Sequence, residues 1–389
     1  MFAQEMMAHN SIYSETGAKR LAFYCSSIAW GGLEMNFVRY AAGLSEAGWE
    51  VFVCCVQNSH IHLKCDSFHL QVVFIERNRK YFDIRRALKV RKLFRLHGIS
   101  ICWFTDNRDV ATLGWTKFFS GNALKLAYFQ QMQLASGKKD IVHRIRFAQL
   151  DVWMSPLPFL ARQVREMTSV AHERIYTVPL GADEVSLLAN ASATASMRAQ
   201  CGIPEDAFVA GVIGRIDPLK GQHVAIAAVK ELLSAGKKMH LLIVGESTLH
   251  EGTGYEEQLK KSVADSGLDQ WIHFAPFTNN VALFYNSIDV MLMCSKGETF
   301  GMVTIEAMAF GKPVIGTNSS GTPEILDNGR FGLLFEPGDH SQLASQIQSM
   351  MDEPLRRQAI GKAARAEFFS RYTMKVSIGM MDGILKKLQ

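Results

Sequence analysis

Residues 288–315, IDVMLMCSKGETFGMVTIEAMAFGKPVI, order a strand, a loop, a helix and a second strand within 28 residues. Few folds accept that order. Ile288 to Cys294 is an apolar run of buried-strand length, Ser295 to Gly301 is polar and glycine-bearing, and Met302 to Phe310 winds at helical spacing; Gly311 and Pro313 then punctuate before Val314 and Ile315. A strand that is apolar at every position is covered on both faces, which points to a parallel α/β sheet. Two carboxylates sit in the segment, Glu298 in the loop and Glu306 in the helix. Between them Gly301, Met302 and Val303 open the helix, where backbone N–H groups and the positive dipole end favour an anion. A diphosphate at the helix start with sugar hydroxyls on either side satisfies both features.

The same alternation runs through the chain. Leu21 to Cys25 reads as a strand, Gly31 and Gly32 as a turn, Met35 to Leu44 as a helix and Val51 to Val56 as the next strand. Further strands are expected at Val72 to Ile75, Ile99 to Phe104, Leu124 to Phe129, Val152 to Met154 and Ile175 to Val178, with helices ending near His97, following Asp109 and covering Phe159 to Met167. After Phe129 the stretch QQMQLASGKKDIVHRIR reads as a polar loop. Pro179, Gly181 and Asp183 mark a domain boundary near residue 183. Beyond it come a helix around Ser192 to Cys201, strands at Phe208 to Ile213, Leu241 to Val244 and Ile272 to Phe274, the 288–315 segment, a strand at Leu333 and Leu334, and a helical tail. The expected layout is a flexible tail over 1–18, a first domain over 19–183, a second over 184–365, and a helical tail over 366–389 that packs back on the first domain. In doubly wound sheets ligands collect at the carboxyl ends of strands. Arg215 and Lys220 follow the Phe208 to Ile213 strand and bring two cations to such an end.

Charge is uneven. Residues 1–183 hold 23 Lys and Arg against 15 Asp and Glu, while the rest hold 19 against 22. Arg77, Arg79, Lys80, Arg85, Arg86, Lys89, Arg91, Lys92 and Arg95 crowd the 77–95 stretch, which reads either as a solvated helix face or as a contact for an anionic membrane surface or acceptor. No aromatic platform accompanies these charges, which argues against nucleic acid. The seven cysteines lack C-x-x-C spacing and fall mostly in apolar runs, so buried reduced thiols in a cytoplasmic protein are expected. The first 18 residues lack the apolar core and basic flank of a secretory signal. No apolar run reaches the ~18 residues of a spanning helix.

An ordered set of residues carries a resemblance that no single member would. It comprises Gly31-Gly32-Leu33-Glu34, Gly214-Arg215 with Lys220-Gly221, Gly245-Glu246, the pair Glu298 and Glu306 with Phe300-Gly301 between them, Glu306-Ala307-Met308-Ala309, Gly311, Pro313, Gly321, Pro323, Glu324, Gly332 and Leu333. Over almost its whole length the chain resembles the retaining GT-B glycosyltransferases of family 4, the glycosyl transferases group 1. The resemblance implies an α/β GT-B fold, two Rossmann-like doubly wound domains facing each other across a cleft. It implies transfer of a sugar from a nucleoside diphosphate sugar, UDP favoured over GDP, to an acceptor hydroxyl on a glycan, glycolipid or polysaccharide precursor. By position, Glu306 resembles the glutamate that binds the ribose, and Glu298 the one that contacts the transferred sugar. Gly214, Phe300, Gly301, Met302 and Val303 would meet the donor, Arg215 and Lys220 would hold the diphosphate, and Gly31 and Gly32 would approach it from the other domain. No metal and no cofactor is implied beyond the donor as co-substrate, since two cations can take the charge-neutralising role. The family's mechanism is front-face attack, so Glu298 would orient the sugar rather than attack it as in a retaining glycosidase.

The chain departs from the pattern at one place. Where many relatives carry a histidine after the Leu124 to Phe129 strand, Gln130 and Gln131 stand, with His143 further on as the substitute for an acceptor or sugar contact. A GT-B sugar nucleotide epimerase and a degenerate, non-catalytic homologue acting as a partner subunit are the alternatives. A nicotinamide dehydrogenase is disfavoured because Gly31-Gly32 is not part of a G-x-G-x-x-G run.

Overall fold

The computed structural model describes residues 19–78, 83–189, 196–247 and 253–389. The expected tail over 1–18, Arg79 and Lys80, and the start of the expected Ser192 to Cys201 helix lie outside them; only a single turn, Ala199–Cys201, is described there. The chain divides into two compact units, one of residues up to 155 with 164–176 and 378–389, the other of 156–163 and 177–377.

Unit one is built on a seven-stranded sheet of β1 (Arg20–Cys25), β2 (Glu50–Val56), β3 (Gln71–Ile75), β4 (Ile101–Phe104), β5 (Lys125–Phe129), β6 (Val152–Ser155) and β7 (Ile175–Thr177). Their order in space is β3-β2-β1-β4-β5-β6-β7, and the pairings from β3 through β6 are parallel. β1 and β4 are apolar and buried along their paired lengths, as two covered faces require. Register sets Phe23 beside Trp103, and the rings stack at 4.5 Å in the middle of the core. The C-terminal residues 378–389 belong to this unit: Asp382 accepts a hydrogen bond from Trp49 Nε1 at 2.9 Å, and Ile378 fills the space left by Gly43, where a Cβ would come within 2.8 Å of it.

Unit two carries a six-stranded parallel sheet of β8 (Val209–Ile213), β9 (His240–Val244), β10 (Ile272–Ala275), β11 (Val290–Met293), β12 (Val314–Thr317) and β13 (Gly332–Phe335), ordered β10-β9-β8-β11-β12-β13. The order reverses between β8 and β11. In doubly wound sheets that reversal opens the ligand crevice, and here it falls at the two strands whose exits carry Arg215 with Lys220 and Glu298 with Glu306. The expected α/β class with two doubly wound, Rossmann-like units is what the chain adopts.

One element corrects the expectation. The stretch after Phe129 is not polar loop throughout, because Ile141–Ala148 is a helix. Asp140 caps it by accepting from His143 N at 3.2 Å, and Phe147 is its buried anchor. The alternation of charged and apolar residues hid a helix that buries so little of itself. All seven cysteines are free, and six are buried; burial pushes the Cys294 thiol up to about 12, leaving it inert.

Candidate functional site

The site grows from two strand exits. After β8 the chain reaches Asp217, whose side chain accepts from Leu219 N at 2.8 Å and caps the turn Pro218–Lys220. That turn fixes Lys220 at its end and closes on Gly221, which has φ +73°. Gly221 is required twice over: a Cβ there would lie 2.3 Å from the carbonyl oxygen of Cys294, in the segment leaving β11. The two exits are therefore in backbone contact. Lys296 N donates to Leu219 O at 3.0 Å and holds them so. Across this contact Lys220 Nζ pairs with Glu298 Oε2 at 2.5 Å, both side chains being partly exposed.

The loop after β11 is braced from its far side. Thr317 Oγ1 donates to Ser295 O at 2.8 Å, Ser319 Oγ to Lys296 O at 3.1 Å, and Gly321 N to Glu298 O at 3.1 Å. A side chain at Gly321 would strike Thr299 O at 2.3 Å, which explains a glycine on that strut. Glu324 anchors the strut in turn, accepting from Phe159 N and from Arg162, each at 2.7 Å. Glu298 thus stands on a loop tied to two neighbouring segments, the Pro218–Lys220 turn and residues 317–321, a suitable base for a residue that must aim a substrate.

Gly301, at φ +78°, starts the Met302–Ala309 helix without a side-chain cap. The first-turn N–H groups of Met302 and Val303 are thereby left to a ligand or solvent rather than to a local serine or aspartate. Glu306 projects from the next turn. Its Oε2 lies 3.1 Å from the hydroxyl of Tyr285, which is buried and stacked at 4.9 Å on Phe310. Burial, and then the Glu306 charge, push the Tyr285 phenol well above its ordinary range, so it remains a donor and fixes the carboxylate's orientation. Sequence reasoning missed Tyr285 and Asp217. The dipeptide Asp217-Pro218 carried a capping signal that was there to be read, whereas Tyr285 had none.

A cavity of about 120 Å³ opens where these parts meet, lined by Gly214, Arg215, Lys220, Ser295 and Val303 among others. Arg215 lies at its rim, half-exposed, with Asp217 Oδ2 3.5 Å from its guanidinium. The arrangement offers two cations, a helix start and two carboxylates at one crevice. It can neutralise a diphosphate and hold hydroxyls on both sides of it. Phe300 departs from the expectation of a donor contact: its side chain is buried, edge-on to Tyr372, and it packs the loop from beneath.

The remaining candidates lie in unit one. Gly31 is extended at φ −162° and precedes the Gly32–Glu46 helix, and a Cβ on Gly32 would meet nothing within 4 Å. Neither glycine is dictated by crowding within the chain. Gln130 corrects the reading of an acceptor or sugar contact. It is 1% exposed; its Oε1 accepts from Trp153 Nε1 at 3.0 Å and Ser155 Oγ at 3.1 Å, and its Nε2 donates to Met132 O at 2.6 Å. Its side chain is a bracket between strand ends. Gln130→Ala is therefore expected to cost about 2–4 kcal/mol of stability, because each buried donor left unpaired costs roughly 1–3 kcal/mol. Urea denaturation checks this, and an unchanged midpoint would contradict the bracket. Gln131 reaches Thr105 Oγ1 and Asn36 Nδ2, both at 3.2 Å, and His143 pairs with Asp140 beside it. A buried carboxyl that the sequence did not single out, Asp109, accepts from Ser26 and Asn78 at the β1 and β3 exits, and burial pushes it up to about 7.

Comparison with known proteins matches this geometry. Residues 194–367 match the model of the glycosyl transferases group 1. The chain is 30% identical over 240 residues to a D-inositol 3-phosphate glycosyltransferase of Acidothermus cellulolyticus, covering 60% of this chain and 52% of that protein. It is 28% identical over 304 residues to the protein of that name from Nocardia farcinica, covering 75% and 64%. The chain thus spans about half to two thirds of the length of these curated relatives. Among solved structures, a Rickettsia africae glycosyltransferase superposes with a TM-score of 0.86 at 17% identity, covering 96% of this chain and 99% of that one. Anabaena HepE, solved with UDP, superposes with a TM-score of 0.81 at 19% identity, covering 95% and 100%. Residues 194–367 belong to the glycosyl transferases group 1 family, in a chain that has the two Rossmann-like domains of the GT-B fold.

Proposed function

We propose that the chain is a retaining, metal-independent glycosyltransferase of family 4 that moves a sugar from a nucleoside diphosphate sugar, UDP-linked in preference to GDP-linked, to an acceptor hydroxyl in the cytoplasm. The observation that carries this reading is the Lys220–Glu298 pair beside the uncapped helix start, at the reversal point of the unit-two sheet. A diphosphate entering the crevice meets Lys220, Arg215 and the first-turn N–H groups of the helix. Glu306, oriented by Tyr285, accepts from the ribose hydroxyls. Glu298, already paired with a cation, is a poor nucleophile and a good acceptor for sugar hydroxyls.

In the reaction the bond from the anomeric carbon to the diphosphate oxygen breaks and a bond to the acceptor oxygen forms on the same face. The acceptor's proton passes to the leaving phosphate. Arg215 and Lys220 stabilise the charge that builds on that phosphate. No outside base is then needed, and the two cations do the neutralising work that a metal does elsewhere. HepE was solved with UDP-glucose as well as UDP, which supports a uridine donor. The curated relatives are named for an inositol phosphate acceptor, so polyol phosphates belong in an acceptor panel beside glycans and glycolipids.

Thermal unfolding with UDP, GDP and ADP tests the donor. At a ligand concentration about a hundred times Kd, stabilisation of about 2.7 kcal/mol is expected for the right nucleotide. Sugar nucleotides are then screened for hydrolysis in EDTA, with the anomeric configuration of the product read by NMR. Stabilisation by none of the nucleotides would overturn the reading, and activity lost in EDTA or an inverted product would remove the metal-independent or retaining part of it.

A further inference from the structure

Three connections of unit one step the same way across its sheet: β3 to β4, β4 to β5 and β5 to β6. Right-handed crossovers put their helices, Ile84–Leu96, Asp109–Ser120 and Ile141–Ala148, on one face. The first two pack together, with Thr116 Oγ1, which donates to Thr112 O at 2.8 Å, lying 3.3 Å from Ala87 O. The first and third helices bury narrow stripes, Ala87, Val90 and Phe94 on the one and Phe147 alone on the other, whereas the second is buried from Asp109 to Gly114 and at Thr116 and leaves only its last turn outside. What remains outside is unusual for a surface: Leu96 is 76% exposed, Phe118 63%, Ile141 68% and Ile145 60%. An apolar groove of about 380 Å³ runs between the second and third helices, with Trp115, Phe118, Val142 and Ile145 among its walls. Scattered exposed apolar residues are ordinary, but a contiguous group rimmed by charge marks an interaction site.

The rim is cationic. Arg85, Lys92 and Arg95 on the first helix, with Lys139 and Arg144 around the third, are exposed, and no carboxylate among the described residues lies within 4.0 Å of them. Arg86 and Lys89, by contrast, are taken by Asp83 and Glu76. The apolar side chains stand outward from helix surfaces that each extend up to about 20 Å, at 1.5 Å per residue. That footprint is broad, and its carboxylates, Glu76, Asp83 and Asp140, are each paired locally, so the charge left without a partner is cationic. It complements a sheet of phosphates over an apolar layer.

We propose that this three-helix face docks on an anionic lipid surface, with Phe118, Ile141 and Ile145 entering the interface and Arg85, Lys92, Arg95, Lys139 and Arg144 lying against the headgroup phosphates. The docking is independent of the donor proposed above, since none of these residues lies in the unit-two crevice.

Sedimentation of the full chain with vesicles of phosphatidylglycerol mixed with phosphatidylcholine tests it. Binding is expected to the mixed vesicles and not to phosphatidylcholine alone, and to weaken between about 0.1 M and 1 M salt as the screening length contracts. Phe118→Ser with Ile145→Ser, and separately Arg85→Gln with Lys92→Gln and Arg95→Gln, are each expected to lose tenfold or more in vesicle affinity. Both sets keep the wild-type melting temperature and its shift with UDP. Failure of the wild type to bind anionic vesicles, or wild-type binding by either set, overturns the proposal. Conversion of a dimer to a monomer by the Phe118/Ile145 pair in light scattering would also overturn it, assigning the face to a second copy of the chain.

Discussion

Lys220→Ala is expected to lower kcat by about 10²–10³-fold while the protein stays folded, the usual cost of deleting one preorganised charge at a developing anion. The side chain is partly exposed at the edge of the crevice. Its partner is Glu298, in a partly buried ion pair whose loss costs about 1 kcal/mol or somewhat more, above the usual range of fully exposed pairs. The effect on rate is larger because the diphosphate gains a full charge as it leaves, and Lys220 sits on a turn held in place by the Asp217 cap and the Gly221 contact. Glu306→Ala is the informative companion. It removes the acceptor that Tyr285 orients, so it is expected to act chiefly through binding and raise KM for the donor, whereas Lys220→Ala acts chiefly on kcat. Steady-state kinetics with the preferred donor, beside melting temperatures, separate the two. Near wild-type turnover in both variants would sink the assignment of the crevice.

The features most legible in the sequence were those made by short-range chemistry. Continuous apolar runs announced the strands, whereas the glycines at 221, 245 and 321 stood out only as members of the ordered set, and the backbone atoms that each lies against were not visible. Gly221 is an example: the sequence shows a glycine after a lysine, and only the fold shows that it lies against Cys294 O. Gln130 was misread for a related reason. A polar residue at a strand's carboxyl end is a fair candidate for a ligand contact, but Trp153 and Ser155 on the neighbouring strand consume its acceptor, and strand adjacency is a property of the sheet. The basic stretch divides likewise, Arg86 and Lys89 being neutralised by carboxylates at 76 and 83 while Arg85 and Lys92 are not. Tyr285 was invisible because its role depends on the chain folding back as helix, strand and helix over the separation of 21 between it and Glu306.

Gly245→Ala is expected to be the most damaging single-atom addition in unit two. The residue leaves β9 at φ +148°, a region that side chains rarely enter, and a Cβ built there would lie 1.9 Å from Gly214 O. No rotamer relieves a clash with backbone. Gly214 N donates to Val244 O and Ile216 N to Glu246 O, each at 3.0 Å, so the exits of β8 and β9 are laced together on both sides of the contact. Room for a methyl group can come only from moving the β8 exit, and that exit carries Arg215 and Lys220. Strain at such a position costs about 1–3 kcal/mol before the clash is counted, and the overlap raises the expected loss to about 4 kcal/mol or more. Any folded fraction should bind UDP weakly, since the two cations will have shifted. Gly236→Ala is the control: at φ +75°, with nothing within 4 Å of its Cβ, it carries the backbone strain without the collision and should cost only about 1–2 kcal/mol. Urea midpoints and UDP-induced melting shifts for the pair decide the matter, and equal losses in the two variants would show that the Gly214 contact yields more easily than its hydrogen bonds imply.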